Sequence, residues 1–343
     1  MSRVVYGWGR FAELADEADL LGARRVMLIV TKSAADHGAA TAIKLGPRWA
    51  LTFDDVRVHV PSTLAAAAAV AASSAAADLL VSIGGGSATG LAKAVAARTG
   101  LPIMAVPTTY AGSEMTPLWG ETSSGAKRVV RDVSVLPRTV IYDPELSVSL
   151  PAQLSAASGM NAVAHCVESI YAPGANSADT AHALSALTAL SVSLPRVVVH
   201  PDDKRARDDA MYGCHLAGIV LANAGTSLHH KVCHLLGGLY DLPHAELHAA
   251  VLPHAVAEVR AVVPDKIREI STVLQNEDSA AALFDLGQEL SLTMALEELG
   301  MSRSDIPDAA IACVDATHGS ELPLTLDSAT RLLTGAVLGT EPV

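Results

Sequence analysis

Short apolar stretches alternate with helical segments through the first 150 residues of this 343-residue chain, and that alternation constrains its fold more than any other feature. The stretches 26–30 and 78–83 are almost continuously apolar, which is the pattern of parallel strands buried on both faces. Further strands are predicted at 56–60, 103–106, 129–135 and 138–142. Strands that alternate with helices predict βαβ units and a doubly wound parallel sheet.

The second half of the chain carries a different pattern. After Leu150–Pro151 the apolar residues recur at helical spacing, which predicts helices at 152–171, 177–194, 202–223, 226–237 and 245–260. We therefore predict an α/β N-terminal dinucleotide-binding domain with a Rossmann-like parallel sheet, residues 1–153. An all-α C-terminal substrate and catalytic domain, residues 154–343, is predicted to follow. A cleft between two such domains is where a dinucleotide and catalytic side chains are expected to meet.

Charge and composition exclude several classes of partner. The net charge of −12 argues against nucleic acid. The N-terminus lacks the apolar core of a signal peptide, and no stretch reaches the roughly eighteen uncharged apolar residues of a membrane span. The cysteines are scattered without a Cys-x-x-Cys motif, which favours reduced thiols. These features predict a cytoplasmic protein with no membrane partner.

A run of glycines, Gly84-Gly85-Gly86-Ser87, stands between a predicted strand and a predicted helix. Glycines there let backbone N–H groups approach a phosphate, and the helix N-terminus adds partial positive charge. Ser87 could cap the helix or bind a phosphate oxygen. The run matches neither the G-x-G-x-x-G fingerprint nor a P-loop, so a different nucleotide-binding architecture is predicted. The alternative is a tight turn with no ligand.

A long loop from 107 to 121 follows another predicted strand. In open α/β sheets this edge is where ligands bind, so the hydroxyls of Thr108, Thr109 and Ser113 are candidates for cofactor binding. Tyr110 is a further hydrogen-bond donor in the same loop. The alternative is a structured loop whose hydroxyls are satisfied internally.

Two other positions are candidates for contacts with the cofactor. Lys127 belongs to a local basic cluster that could receive a pyrophosphate or an anionic substrate, although a solvated strand edge is equally compatible. Thr31 ends the first strand, where an acidic residue often binds the ribose and repels a 2′-phosphate. Because no acid stands there, NADPH should be tolerated as well as NADH, although the nearby Asp36 weakens that inference.

Residues 226–254 hold six of the thirteen histidines. His230 and His234 are four residues apart and would share one face of a helix. Gly237-Gly238 are expected to weaken that helix, and Pro243 predicts a turn that returns His244 to the same place.

Asn161 and His165 form a second pair with the same spacing on another predicted helix. Four side chains from two helices and a turn could therefore converge on one pocket. Any single histidine could be an ordinary core or surface residue, but clustering imidazoles in an apolar stretch is costly without a use.

Together these motifs resemble the iron-containing (group III) alcohol dehydrogenase superfamily over nearly the whole chain, and within it the maleylacetate reductases. The matching segments are 84–93, 107–117, 136–144, 158–165, 229–238 and 243–246. The resemblance implies reduction with NADH or NADPH and a homodimer. It also implies a small dicarboxylate substrate, maleylacetate, formed in the degradation of aromatic compounds.

The resemblance also bears on metal binding. In metal-dependent members of the superfamily an aspartate and three histidines hold iron or zinc, and these positions fall on Asn161, His165, His230 and His244. Because Asn161 replaces the aspartate, one anionic ligand is missing. Maleylacetate reductases are similar in carrying asparagine here and working without metal, so no metal is expected. Three imidazoles can hold zinc in other folds, so the asparagine alone leaves the question open.

The implied chemistry suits hydrogen-bond donors. Hydride addition to the alkene carbon β to the ketone would form an enolate, and its protonation would give 3-oxoadipate. An enolate is less basic than an alkoxide, so donors can replace a Lewis acid. We expect His230, His244 and His165 to bind and polarise the oxo and carboxylate groups, with histidinium suited to a dianion. His234 is the first candidate proton donor and Tyr110 the second.

Three other functions fit parts of the sequence. A metal-dependent alcohol dehydrogenase acting on a small alcohol or carbonyl is the nearest alternative. A cyclising lyase like the dehydroquinate synthase branch would show no net cofactor turnover. A non-catalytic dinucleotide-binding module is disfavoured by the clustered histidines.

Overall fold

The structure, a computed structural model, describes residues 2–123 and 126–343, and the chain divides into two compact units, 1–150 and 151–343. The first unit contains strands and helices in alternation. Its strands are β1 Arg3–Tyr6, β2 Val26–Val30, β3 Trp49–Phe53, β4 Leu79–Gly84, β5 Ile103–Pro107, β6 Leu118–Ser123, β7 Ala126–Arg131 and β8 Thr139–Tyr142. Its α-helices are α1 Leu14–Leu20, α2 Ala35–Leu45, α3 Ser62–Ser74 and α4 Gly86–Thr99.

Six of these strands form one parallel sheet in the order β1-β8-β5-β4-β2-β3. All five residues of β2 are buried, and alternate residues belong to two different cores. Val26, Leu28 and Val30 pack with residues of α1 and α2, whereas Met27 and Ile29 pack with the alanines of α3 and α4. Helices therefore cover both faces of the sheet, and the predicted α/β class of the first unit is confirmed.

One strand prediction in this unit is wrong, and a second is confirmed only in part. Residues 56–60 form no strand, because His59 and Val60 have φ angles of 60° and 45°, which a strand excludes. The edge strand β3 lies just before them. The predicted strand 129–135 overlaps β7, which begins and ends earlier and pairs antiparallel with β6 in a separate two-stranded sheet. Asp132 ends β7, since its carboxylate accepts a hydrogen bond from the backbone N–H of Ser134 and starts a 3₁₀ turn.

The second unit is helical throughout its described residues, as predicted. Its helices are α5 Ala152–Tyr171, α6 Ser177–Val199, α7 Lys204–Ala224, α8 Leu228–Tyr240, α9 His244–Val259, α10 Pro264–Leu274, α11 Ser279–Glu289, α12 Leu296–Leu299, α13 Ile306–Thr317 and α14 Leu326–Leu338. Gly237 and Gly238 do not end α8, which continues to Tyr240 and stops at Asp241 in the left-handed conformation. Glycine inside a helix costs about 1 kcal/mol relative to alanine but does not interrupt the backbone hydrogen bonds.

Length and composition alone would allow one described helix, α6, to cross a membrane. Its buried residues, which include Ala183, Leu187, Leu190 and Leu194, recur at helical spacing along one face. That face packs along α5 and α7, as a core helix does. All four cysteines are buried, and none is part of a disulfide among the described residues.

The close packing of α6 against α7 depends on Gly213. A Cβ atom at this position would lie 2.6 Å from Cγ of Leu190 and 3.2 Å from the carbonyl oxygen of Ala186. We expect Gly213→Ala to lower the free energy of unfolding by about 1–3 kcal/mol, because the helices must move apart. Urea denaturation measures this change.

Gly238→Ala is the matched control, since a Cβ atom there meets nothing within 4 Å. It should leave stability unchanged or raise it by up to about 1 kcal/mol. Equal effects of the two substitutions would contradict the packing argument.

Candidate active site

The glycine turn brings the carboxyl ends of β2, β4 and β5 close together. Gly84 has a φ of 148°, and a Cβ atom there would lie 2.7 Å from the side chain of Thr31. A Cβ atom on Gly85 would lie 2.9 Å from Cγ2 of Thr109, and one on Gly86 would lie 3.3 Å from Cβ of Ala111. The glycines therefore serve the close approach of three chain segments, in addition to any ligand.

The N-terminus of α4 has the features of an anion site. Its N-cap residue is Gly85, and within the described residues no side chain caps the helix. The N–H of Ala88 donates to the carbonyl of Gly85 at 3.0 Å, so the N–H groups of Gly86 and Ser87 are the ones in the first turn that a ligand can bind. Gly86 and Ser87 are only half-buried, so a phosphate can reach these groups and the positive end of the helix dipole.

The other predicted cofactor contacts occupy different environments in the first unit. Thr108 is buried, and its backbone N–H donates to the carbonyl of Gly84. Thr109 and Ser113 are partly exposed, whereas Tyr110 is wholly buried. Lys127 falls in β7, and its side chain lies outside the described residues. All these assignments to the cofactor stay predictions.

Lys93, which the sequence reading did not single out, fastens the loop that carries these residues. It lies on α4 and is fully buried, and burial lowers its pKa to about 7 against the opposing influence of Glu114. Its Nζ donates to the carbonyl oxygens of Ser113 at 2.5 Å, Thr116 at 2.7 Å and Leu118 at 2.8 Å. Three carbonyls match the three hydrogens of an ammonium group. Lys93 follows Gly86 by seven residues, which is two turns of α4, so the two residues share one face of the helix. This spacing could have identified Lys93 from the sequence.

The second unit gathers five histidines from α8 and α9 and one from α5. The rings of His230 and His165 stack with centroids 5.0 Å apart, and those of His234 and His244 stack at 6.4 Å. His165 and His230 are buried, whereas His234 and His244 are exposed. The structure thus brings together all four histidines that the sequence singled out, with an inner and an outer pair.

His248 is the centre of this cluster, although the sequence reading gave it no role. Its ring lies 4.3 Å from that of His244, 4.6 Å from that of His230 and 4.9 Å from that of His229, measured between centroids. It is fully buried, and neither of its ring nitrogens has a hydrogen-bond partner among the described residues. The four-residue spacing from His244, the same as between His230 and His234, could have identified it.

Glu168 is a second residue that the sequence reading passed over. It is fully buried on α5, and its carboxylate contacts Nδ1 of His230. Asn161, His165 and Glu168 are spaced i, i+4 and i+7, so they share one face of the helix. That spacing was the available signal.

Burial disfavours the charged form of the inner histidines. It lowers the pKa of His165 and of His248 well below the ordinary value, and the neighbouring His230 acts in the same direction. Burial also lowers the pKa of His230, against the opposing influence of Glu168. The expectation that histidinium lines the pocket therefore does not apply to these three residues in the free protein.

The donor set of the relatives' metal site is poorly matched here. Among the described residues, the groups of three whose donor atoms lie within 4.8 Å of one another are His229–Cys233–His248 and Glu168–His229–His230. Neither group contains His165 or His244, so among the described residues the three histidines of that site lie in one cluster but their donor atoms are not all within that distance of one another. Asn161 offers a neutral amide, and its Oδ1 is buried without a partner in the described part of the chain. At position 161 a dication would therefore meet a neutral amide instead of a carboxylate, which binds a hard or borderline cation more strongly.

Comparison with protein-family models matches both units. Residues 1–144 match the iron-containing alcohol dehydrogenase model. Residues 155–332 match the C-terminal model of the Fe-containing alcohol dehydrogenase family.

Named relatives match along nearly the full length of the chain. A maleylacetate reductase of Sphingobium indicum is 44% identical over 341 residues, covering 99% of this chain and 97% of the relative. One from Burkholderia cepacia is 43% identical over 340 residues, with coverage of 99% and 97%.

Solved structures agree with these relatives. The maleylacetate reductase from a Rhizobium species superposes with a TM-score of 0.95 at 39% identity, covering 99% of this chain and 97% of that one. A putative alcohol dehydrogenase from Ralstonia eutropha gives a TM-score of 0.97 at 42% identity, covering 100% and 98%.

Removal of the Lys93 ammonium tests how the loop is held. Lys93→Met keeps the length of the side chain but leaves the carbonyls of Ser113, Thr116 and Leu118 without this donor. We expect the free energy of unfolding to fall by about 2 kcal/mol or more, and the KM for NADH to rise. Lys44→Met, at the exposed end of α2, is the control and should change neither quantity. Equal stability of the two variants would show that Lys93 does not fasten the loop.

Proposed function

The chain belongs to the iron-containing alcohol dehydrogenase family and, within it, to the maleylacetate reductases, and on that basis we propose that it reduces maleylacetate to 3-oxoadipate with NADH or NADPH. The observation that carries the proposal is the histidine cluster of the second unit, in which His165 lies one turn of α5 after Asn161, an amide at the position of the metal-binding aspartate. Named maleylacetate reductases that match over the whole length support it.

The first unit binds the cofactor in this proposal. A Cβ atom at any of the glycines 84–86 would fill the narrow space next to the neighbouring chain segments. The N-terminus of α4 offers the N–H groups of Gly86 and Ser87 to a pyrophosphate. When bound, the nicotinamide supplies the hydride. Thr31 leaves the ribose position without an acidic residue, which supports the use of NADPH as well as NADH.

The second unit binds the substrate. His165, His230 and His244 bind its oxo and carboxylate groups, and hydrogen bonds to the forming enolate lower the barrier. His234 then protonates the carbon. Its ring is exposed, so it can meet both substrate and solvent, from which it recovers the proton.

We further propose that the reaction needs no metal. The support is chemical: an amide stands at position 161, and among the described residues His165, His230 and His244 do not form a group whose donor atoms all lie within 4.8 Å of one another. An enolate carries its charge on a weakly basic oxygen, so neutral donors are sufficient to stabilise it.

A steady-state assay with maleylacetate tests the activity. We expect stoichiometric oxidation of NADH and of NADPH, and an unchanged kcat after the protein is stripped with a chelator. Loss of activity that Fe²⁺ or Zn²⁺ restores would instead support a metal-dependent alcohol dehydrogenase. Substrate conversion without net oxidation of the cofactor would support a cyclising lyase.

Asn161→Asp supplies the missing ligand and should raise the zinc content after dialysis.

The proton donor is tested by two single substitutions. We expect His234→Asn to lower kcat by about 100-fold or more, since general acid catalysis contributes at least that much. Tyr110→Phe tests the second candidate, which is wholly buried and should affect kcat less. His200→Asn, at the exposed end of α6, is the control and should behave as wild type. Unchanged turnover in His234→Asn would remove His234 from the mechanism.

A further inference from the structure

Glu168 makes an unusual number of contacts for a carboxylate with no exposed surface. Its Oε1 accepts from the backbone N–H of Ser227 at 3.1 Å and from that of His230 at 3.3 Å. Its Oε2 contacts Nδ1 of His230 and lies 3.8 Å from Nδ1 of His229. One carboxylate of α5 is therefore bonded to both the backbone and a side chain of α8.

The backbone contacts explain how a charge is tolerated at this depth. Ser227 is the N-cap of α8, and it makes no side-chain capping bond itself. Glu168 supplies the missing acceptor from a different helix, at the end of α8 where the helix dipole favours an anion. Its position is thereby fixed independently of the imidazole.

The side-chain contact determines which atom of His230 is available. An ionised carboxylate only accepts hydrogen bonds, so Nδ1 of His230 carries the hydrogen in this contact. Among the described residues, the side-chain hydrogen bond of His230 is made by Nδ1, which leaves Nε2 for another partner. A rotation of the ring would exchange the two nitrogens and break the bond to Glu168.

A second bond fixes the neighbouring helix. His229, whose Nδ1 lies beside Glu168, donates through Nε2 to the backbone carbonyl of His248 at 3.0 Å. The contacts of Glu168 therefore extend from α5 through α8 to α9, which carries His244. These bonds link the three helices that carry the histidines.

We propose that Glu168 is a positioning residue of the active site: it holds Nδ1 of His230 and the N-terminus of α8, so that Nε2 of His230 is the atom presented to the substrate. The proposal rests on the proposed reduction of maleylacetate for its kinetic consequences. Carboxylates that orient a histidine from behind commonly contribute about 10- to 100-fold to activity. Glu168 has no contact with the reacting atoms in this role.

Glu168→Gln is the decisive variant, because the amide keeps the shape and can still accept from the two backbone N–H groups. Its NH₂ group must then donate to Nδ1 of His230, which moves the ring hydrogen to Nε2. We expect kcat/KM for maleylacetate to fall about 10- to 100-fold, while the KM for NADH stays within twofold. Glu168→Ala should have the larger effect if it folds.

Imidazole ¹⁵N NMR provides a readout that does not depend on activity. In the wild-type protein the hydrogen of His230 should be on Nδ1, and in Glu168→Gln it should be on Nε2; His230→Asn assigns the signal. If wild-type enzyme failed to reduce maleylacetate, the proposed function would be lost, but this measurement would still test the role of Glu168.

Asp179→Asn is the matched control within the same unit. Asp179 is also a buried carboxylate; it completes the capping box of α6 and accepts from Nδ2 of Asn223 at 2.9 Å. Its substitution should lower Tm without changing kcat/KM. A Glu168→Gln enzyme with wild-type kinetics, or with the hydrogen of His230 still on Nδ1, would overturn the proposal.

Discussion

The histidine cluster depends on the burial of one carboxylate, Glu168, at the N-terminus of α8. A buried carboxylate without partners would be strongly destabilising, and here backbone N–H groups and the His230 imidazole satisfy it. The carboxylate belongs to α5, whereas the groups that bond to it belong to α8. The same side chain of α5 therefore both bonds to the backbone of α8 and orients the ring of His230.

The same carboxylate gives a physical reason for the asparagine at position 161. Asn161, His165 and Glu168 share one face of α5, so an aspartate at 161 would place two carboxylates on that face. A bound dication offsets such a pair, whereas without one the two negative charges repel each other in a medium of low dielectric constant. A neutral amide removes this repulsion and keeps a polar group in the pocket. The asparagine at 161 is therefore consistent with the proposal that the reaction needs no metal.

Sequence patterns predicted the elements whose environment is uniform along their length. The strand β2 was identifiable because every residue is buried, and the helices of the second unit because one face of each is apolar. The pattern failed at 56–60, where Val58 is 69% exposed and two residues have positive φ angles. It also placed the end of β7 after Arg131 and did not show that β7 pairs with the adjacent β6. Local pairing and backbone strain depend on contacts that an alternation of residue types does not specify.

In the candidate site, helical spacing predicted which histidines lie close together. It did not predict the residues that hold the surrounding segments in place. Lys93 lies two turns after Gly86 on α4, and Glu168 lies one turn after His165 on α5, both of them predicted site residues. Lys93 and Glu168 each bond to the backbone of a different segment. A charged residue on an otherwise apolar helix face, in phase with candidate ligands, must find partners when the face is buried. The nearest partners are the unpaired backbone groups of the segment that carries the site. Charged residues in phase with a predicted site are therefore the first places to look for the groups that hold it in shape.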